Sequence, residues 1–203
     1  MDEMQFSQVI PRLRVYETKL LDKAKIDRMI DSHSAEEALK VLQETEYANV
    51  MTNVKRAEDY ELILGGELKR LFTVMYDISP VKSLVDLMSI KYDYQNIKVI
   101  LKGMFLKKDL SYLLIPVGTI DSHELKTIIE NGNLSDLPHL MREAVEEAKA
   151  DFENTNDPQI VDIILDRYMF KSLVEIKKEI NDNFVDKYVD AIGELVDNLE
   201  KLL

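Results

Sequence analysis

The sequence is 203 residues long, with 46% apolar and 32% charged residues, a balance typical of folded globular proteins rather than disordered ones. Its 38 acidic and 26 basic residues give a net charge of −12, which opposes binding to nucleic acids and to anionic membrane surfaces. The lack of cysteine excludes disulfides and thiolate chemistry, and neither a signal peptide pattern nor a membrane-spanning apolar run is present, so we expect a cytoplasmic protein.

Helical periodicity and capping signals cover most of the first half of the chain. A capping box begins at Ser34, and Ser79-Pro80 places a hydroxyl residue before a proline, as at many helix starts. The predicted helices of this half are 13–30, 34–47, 58–76 and 80–106.

The second half continues in the same way. Asn131-Gly132-Asn133 and Asn181-Asp182-Asn183 predict breaks, and Asp157-Pro158 repeats the start of a capping residue followed by proline. We predict a short helix and turn over 107–119, and then helices over 122–130, 135–151, 158–180 and 184–203. No stretch alternates convincingly between apolar and polar residues, so no strand is predicted and the fold class is all-α.

Two of the predicted helices resemble each other. Residues 85–94 align without gaps on residues 161–170, with identical valine, aspartate and tyrosine residues, and each copy follows a capping residue and a proline. Chance similarity between amphipathic helices is the alternative, but the matching starts favour a true repeat. We therefore predict helical modules over 1–107 and 108–203, an arrangement that favours extended binding surfaces over a catalytic cleft.

A search for nucleotide-binding and metal-binding motifs yields only weak candidates. The sequence contains neither the nucleotide-binding motif Gly-x-x-x-x-Gly-Lys-[Ser/Thr] nor the dinucleotide-binding motif Gly-x-Gly-x-x-Gly. Gly65-Gly66 lies in a helical context, where a phosphate nest is not expected. Acidic residues flank His139 at helical spacing and could hold a metal, although a solvated helix face explains them better. These residues are Asp136, Glu143, Glu146 and Glu147.

Two further groups of residues could carry chemistry. Ser122-His123-Glu124 contains triad residue types, but neighbours in sequence do not converge as a triad must, and a helix N-terminus explains them better. Tyr92 and Tyr94, with Asn96 and Lys98, could form an aromatic binding surface, or they could pack on two sides of a helix with their hydroxyls on polar partners. We predict no catalytic, cofactor-binding or metal-binding residue and no enzyme.

The chain resembles the C subunits of bacterial and archaeal V-type ATPases, which are equivalent to the d subunits of the eukaryotic enzymes. The similarity extends over essentially the whole chain and is strongest at Tyr92-Asp93-Tyr94-Gln95-Asn96-Ile97-Lys98. The other segments that carry it are 13–21, 34–47 and 166–170.

This resemblance implies a non-catalytic central-stalk rotor subunit, built as a funnel of three similar helical modules. One end would sit on the membrane rotor ring and the other would hold the D and F shaft subunits, so that membrane contact is indirect. Such a protein would couple ATP hydrolysis or synthesis to proton or sodium transport, and it would bind no nucleic acid, cofactor or small-molecule substrate.

The sequence departs from the family pattern in its last residues. Family members continue for a third module, and the family's late motif is only loosely matched by residues 194–199. We therefore expect a chain truncated at its C-terminus, with two modules of three. The alternative function is a helical-repeat adaptor in another protein complex.

Overall fold

The computed structural model of the chain describes residues 3–54 and 56–200. Every regular element in this described part is helical, which confirms the predicted all-α fold class. The chain forms two compact units, which meet in sequence at Pro80 and Val81. The predicted module boundary after residue 107 was based on a sequence repeat. A division into compact units does not test a repeat, so this boundary stays a prediction.

The described part of the first unit contains four α-helices. Their bounds are α1 Val9–Glu17, α2 Lys23–Ile30, α3 Ala35–Leu42 and α4 Tyr60–Ile78. Two 3₁₀ helices, Glu46–Asn53 and Ala57–Asp59, separate α3 from α4 in sequence and pack on both.

The prediction of one helix over 13–30 is wrong, because the chain leaves the helix after Glu17. Thr18 Oγ1 donates a 2.7 Å hydrogen bond to the backbone carbonyl three residues earlier and so offers the backbone an alternative to a further helical turn. Asp22 then accepts a 2.8 Å hydrogen bond from the backbone amide of Lys25 and caps a new helix. Apolar spacing continues across the break, which is why periodicity alone did not reveal it.

The predicted capping box at Ser34 is confirmed. Ser34 Oγ accepts from the backbone amide of Glu37 at 3.2 Å, and the Glu37 carboxylate accepts from the amide just before Ser34 at 2.9 Å. The helix ends at Leu42, so its predicted end near Tyr47 is wrong. Thr45 is extended and its hydroxyl caps the following 3₁₀ helix, which takes over the backbone at that point.

The predicted helix start at Ser79-Pro80 is also wrong. Ser79 terminates α4, since its amide donates to the carbonyl of Met75 at 2.9 Å and its backbone turns extended, as expected before proline. Val81 is extended as well, and α5 therefore begins at Lys82. At Asp157-Pro158, by contrast, the prediction is confirmed, because the Asp157 side chain accepts from the amide two residues later and α8 begins at the proline.

The described part of the second unit contains five α-helices. Their bounds are α5 Lys82–Leu106, α6 Ser122–Asn131, α7 His139–Thr155, α8 Pro158–Ile180 and α9 Asn183–Glu200. Helix α8 packs against α5, α7 and α9, and α6 packs against α5. The three predicted residues after Glu200 lie outside the described residues.

One hydrophobic core joins the helices of the second unit. Its fully buried side chains come from each of the five helices. Those that expose less than 2% of their surface include Tyr94, Ile97, Leu101, Leu125, Ile129, Met141, Leu165 and Val189. This core gives α5 and α8 a fixed support on which polar side chains can be positioned.

Left-handed residues end the helices at several predicted breaks. Gly132 and Asn181 take this conformation after α6 and α8, where Asn131-Gly132-Asn133 and Asn181-Asp182-Asn183 predicted the ends. Helix α7 begins at His139 and not at residue 135, because Pro138 forces an extended residue before it. The segment predicted as a short helix and turn contains the 3₁₀ helix Ser111–Leu113. None of the described helices is long and apolar enough to cross a bilayer.

Candidate functional site

Two buried polar side chains on α5 face the segment that connects α5 to α6. Asp93 and Asn96 are 0% exposed and lie one helical turn apart, among residues that are mostly apolar core. We call residues 107–121 the clamped loop, because hydrogen bonds and close packing hold it at two places. Buried polar groups need partners, and the loop backbone supplies them.

The side-chain amide of Asn96 forms hydrogen bonds with backbone groups of the clamped loop. Its Oδ1 accepts from the backbone amide of Ile115 at 2.8 Å, and its Nδ2 donates to the carbonyls of Ile115 and Val117 at 2.9 and 3.4 Å. A single side chain therefore satisfies three backbone groups of an irregular segment, two of them on one residue.

Asp93 holds the end of the same loop. Its carboxylate accepts hydrogen bonds from the amide and hydroxyl of Thr119 at 2.8 and 2.7 Å and from the amide of Ile120 at 3.2 Å. Burial raises the pKa of Asp93 to about 6, although these hydrogen bonds act to lower it; the charge of Asp86 adds to the increase. Gly118 is required beside it, since a β-carbon there would lie 2.1 Å from an Asp93 oxygen.

The start of the loop is held by a second set of contacts. Lys107 is left-handed and ends α5, and the amide of Lys108 donates to the carbonyl of Gly103 at 3.0 Å. Asp109 accepts from the hydroxyl and amide of Ser111 and forms a 3.1 Å ion pair with Lys126 of α6. The hydrogen bonds from Ser111 and the ion pair lower the pKa of Asp109 to about 2.

Polar contacts also join α5 to α8. Lys98 forms a 2.6 Å ion pair with Asp166, and Lys102 forms one of 2.7 Å with Asp162. Lys102 follows Lys98 by four residues on α5, whereas its partner on α8 precedes Asp166 by four residues, so the two helices run antiparallel. A buried hydrogen bond of 2.8 Å between the Tyr94 hydroxyl of α5 and Ser172 Oγ of α8 also joins the two helices. Burial raises the pKa of Tyr94.

A third polar group joins α7 to α8. The Tyr168 hydroxyl donates to Glu147 at 2.9 Å, and Arg167 forms an ion pair with the same carboxylate. Burial acts to raise the pKa of Glu147, but the hydrogen bonds and charge of these two partners lower it overall. Lys171 lies 4.1 Å from the centre of the Tyr168 ring.

The aligned helices of the predicted repeat are the two that pack together here. In the sequence alignment of the repeat, Asp86 is aligned with Asp162 and Lys102 is aligned with Lys178. It pairs the loop-holding residues of α5 with unlike residues of α8, Asp93 with Met169 and Asn96 with Ser172. The two copies therefore differ where α5 holds the clamped loop.

The residues predicted as a possible aromatic surface divide into separate roles. Tyr94 is buried with its hydroxyl on a polar partner, and Asn96 faces the clamped loop. Tyr92 is half-buried beneath the ammonium of Lys91, 4.9 Å from the ring centre, and Lys98 is occupied by its ion pair. The packing alternative is therefore confirmed for Tyr94.

The remaining predicted candidates lie apart from one another. His139 lies 3.4 Å from Glu175 of α8, while Glu147 is engaged with α8 as described above. No group of three histidine, aspartate or glutamate side chains suited to a metal occurs within the described ranges. Ser122-His123-Glu124 opens α6, as predicted, with Asp121 accepting from the two amides after Ser122.

Gly65-Gly66 lies within α4, where the sequence had predicted a helical context. A β-carbon at Gly66 would lie 3.2 Å from the side chain of Val50, so this glycine allows the 3₁₀ helix to approach α4 closely.

Sequence reasoning did not assign the roles of Asp93, Gly118 and Lys126. A signal for Asp93 and Asn96 was available, since two polar residues three apart interrupt the apolar face of α5. Their partners lie 19 to 27 residues away in an irregular segment, and no local pattern indicates which backbone groups they hold.

Comparison with known proteins identifies relatives along the whole chain. The family model described as the ATP synthase (C/AC39) subunit matches residues 9–199. The C subunit of the A-type ATP synthase of Methanocaldococcus jannaschii is 29% identical over 100% of this chain and 54% of its own length. The C subunit of the V-type sodium ATPase of Enterococcus hirae is 26% identical over 81% of this chain and 50% of its own length.

The C subunit of the V-type ATP synthase of Deinococcus radiodurans is 21% identical over 94% of this chain and 59% of its own length. The chain thus spans about half the length of these curated relatives. The matched region contains α1 to α8, the clamped loop and most of α9. The chain belongs to the C/AC39 subunit family of ATP synthases.

Proposed function

We propose that the chain is a non-catalytic central-stalk rotor subunit that links the D–F shaft to the membrane rotor ring of a V-type ATPase. In this role it couples ATP hydrolysis or synthesis to proton or sodium transport, on the cytoplasmic face and peripheral to the membrane. The observation that carries the proposal is the family match over residues 9–199. The names of the relatives, which are subunits of A-type and V-type rotary enzymes, agree with it.

The polar groups of the second unit support a structural role. Asp93, Asn96 and Tyr94 are each hydrogen-bonded within the fold, and Lys98 and Lys102 are each ion-paired. Groups committed to internal contacts fix the relative positions of helices and loops, and a coupling part needs such fixed geometry. The proposal includes the funnel of similar helical modules that the family resemblance implies.

Binding and coupling measurements test the proposal directly. We expect the chain to bind a purified D–F shaft complex and a detergent-solubilised rotor ring, each measured separately by biolayer interferometry. In vesicles that contain the other subunits of the enzyme, added chain should restore ATP-driven ion transport. If the chain binds neither probe, the proposal is excluded. Reproducible capture of a different complex would favour the adaptor alternative.

A further inference from the structure

The Asp93 carboxyl group is buried without a cation beside it. It is 0% exposed, and it forms no ion pair with any residue that the structure describes. Its hydrogen-bond donors are neutral groups of the clamped loop, namely the amide and hydroxyl of Thr119 and the amide of Ile120. An ionised carboxylate that is buried without a balancing cation is costly, so burial at this place favours the protonated form.

The charged groups around Asp93 do not offset this effect. On α5 itself, Asp86 is a like charge and acts in the same direction as burial. The charged side chains of the neighbouring elements are engaged with one another or with backbone amides. These contacts are Asp121 with the start of α6, Lys126 with Asp109 and Glu130, Lys98 with Asp166, Lys102 with Asp162, Arg167 with Glu147, and Lys149 with Glu153.

The contacts of Asp93 suit both of its protonation states. Its Oδ2 lies 2.7 Å from the Thr119 hydroxyl, and a hydroxyl group can donate to a carboxylate or accept from a protonated carboxyl group. The amide of Ile120 can donate to Oδ1 in either state. The closed loop can therefore hold Asp93 with or without its proton.

The second half of the clamped loop covers this carboxyl group. We call residues 114–120 the loop end. Within it, Val117 is buried, and a β-carbon at Gly118 would lie 2.1 Å from Asp93 Oδ1, so the loop backbone itself shields the carboxyl group from water. The segment lies between two anchored points, the ion pair to α6 and the cap of α6 described above. Movement of the loop end away from α5 would bring water to Asp93 while the helices stay folded.

We propose that Asp93 and the loop end form a proton-linked latch, which closes more firmly at low pH and opens more readily as the pH rises. When the latch opens, the O–H bond of the carboxyl group breaks, the proton passes to water and the carboxylate becomes hydrated. At higher pH the closed latch has already lost its proton and contains an unbalanced buried charge, so it opens at a lower cost. This inference concerns the second unit alone and does not depend on the proposed rotor role.

The two states of the latch set the size of the effect. Burial raises the pKa of Asp93 to about 6 in the closed state, whereas a hydrated carboxyl group has the ordinary value of 3.8. The preference for the closed state is therefore complete below pH 3.8 and is lost as the pH rises through 6. Between about pH 5 and about pH 7.5, linkage raises the equilibrium constant for opening about tenfold.

Amide hydrogen exchange measured by NMR tests the latch in the full chain. Protection factors, which remove the intrinsic effect of pH on exchange, are compared at about pH 5 and about pH 7.5. The amides of Thr119 and Ile120 report on the loop end, and that of Leu165 in the core of α8 reports on global unfolding. We expect the loop-end amides to be less protected than Leu165 at both pH values, and their protection to fall about tenfold at the higher pH.

Two variants assign the pH dependence to one residue. Asp93→Asn should abolish the change in loop-end protection between the two pH values, because asparagine does not titrate. His123→Gln is the matched control, since histidine also titrates in this range and His123 follows the loop by two residues; it should retain the tenfold change. Carbon-13 NMR of the Asp93 carboxyl group in the wild type needs no variant, and we expect its titration midpoint near pH 6.

Several results would overturn the latch. Loop-end protection that does not change with pH, or that equals the protection of Leu165, would show that no separate proton-linked opening occurs. A pH dependence that persists in Asp93→Asn, or that disappears in His123→Gln, would assign the effect to another group. An Asp93 carboxyl group that stays ionised from about pH 5 to about pH 7.5 would do the same without any variant.

Discussion

Replacing Asp93 with asparagine should change how the stability of the protein depends on pH. Burial raises the pKa of Asp93 from an ordinary value of 3.8 to about 6. The folded state therefore binds a proton at this residue more tightly than the unfolded state does. The resulting stabilisation is complete below pH 3.8 and is lost as the pH rises through 6.

The size of the effect follows from these two values. With a folded pKa of about 6 and an unfolded pKa of 3.8, linkage makes the folded state about 1.4 kcal/mol more stable at about pH 5 than at about pH 7.5. Asparagine does not titrate, so Asp93→Asn lacks this contribution. Its amide group also faces backbone donors of the clamped loop, but that cost is independent of pH and cancels in a comparison between two pH values.

Urea unfolding followed by circular dichroism measures the difference in unfolding free energy between the wild type and Asp93→Asn. We expect this difference to favour the wild type by about 1.4 kcal/mol more at the lower pH. Asp136→Asn, which removes an exposed carboxylate of the same unit, is the matched control. A difference that is constant, or that favours the wild type more as the pH rises, would refute the reasoning.

Three further predictions concern the same unit and use urea unfolding. Asn96→Ala should lower the free energy of unfolding by about 2–3 kcal/mol, because three buried or half-buried backbone groups of the loop lose their partner, and a loss under about 0.5 kcal/mol would contradict the clamp. Gly118→Ala should destabilise more than Gly132→Ala, since its β-carbon would meet a buried carboxylate at 2.1 Å whereas that of Gly132 meets nothing within 4 Å; equal costs would argue against this contact. A double-mutant cycle on Lys98 and Asp166 should give a coupling of about 0.5–1 kcal/mol that weakens in high salt, and no coupling at low salt would exclude a stabilising pair.

The sequence predicted most reliably those features that depend on local chemistry. The Asp157-Pro158 start and the break at Gly132 were found because a cap or a left-handed residue acts on its own neighbours. Prediction failed where one residue suited two local roles. Ser79 could cap the next helix or end the previous one, and the 2.9 Å hydrogen bond from its backbone amide to the carbonyl of Met75 shows that it ends α4.

The candidate site was only partly predictable. The motif that contains Asp93 and Asn96 was found through its family resemblance, but its physical role depends on a loop that lies far away in sequence. Buried polar residues on an apolar helix face indicate that partners exist without saying which they are. Gly118 is informative only once the position of the Asp93 carboxylate is known.

The two-ended fastening of the loop has a mechanical consequence. A force applied at Tyr112 would be shared with α5, because the backbone before and after this residue is hydrogen-bonded to that helix. The load passes into a helix of 25 residues, about 37 Å long, whose middle is braced against α8 by Tyr94 and Lys98. In the proposed rotor role, a helix supported in this way would transmit an applied displacement with little bending.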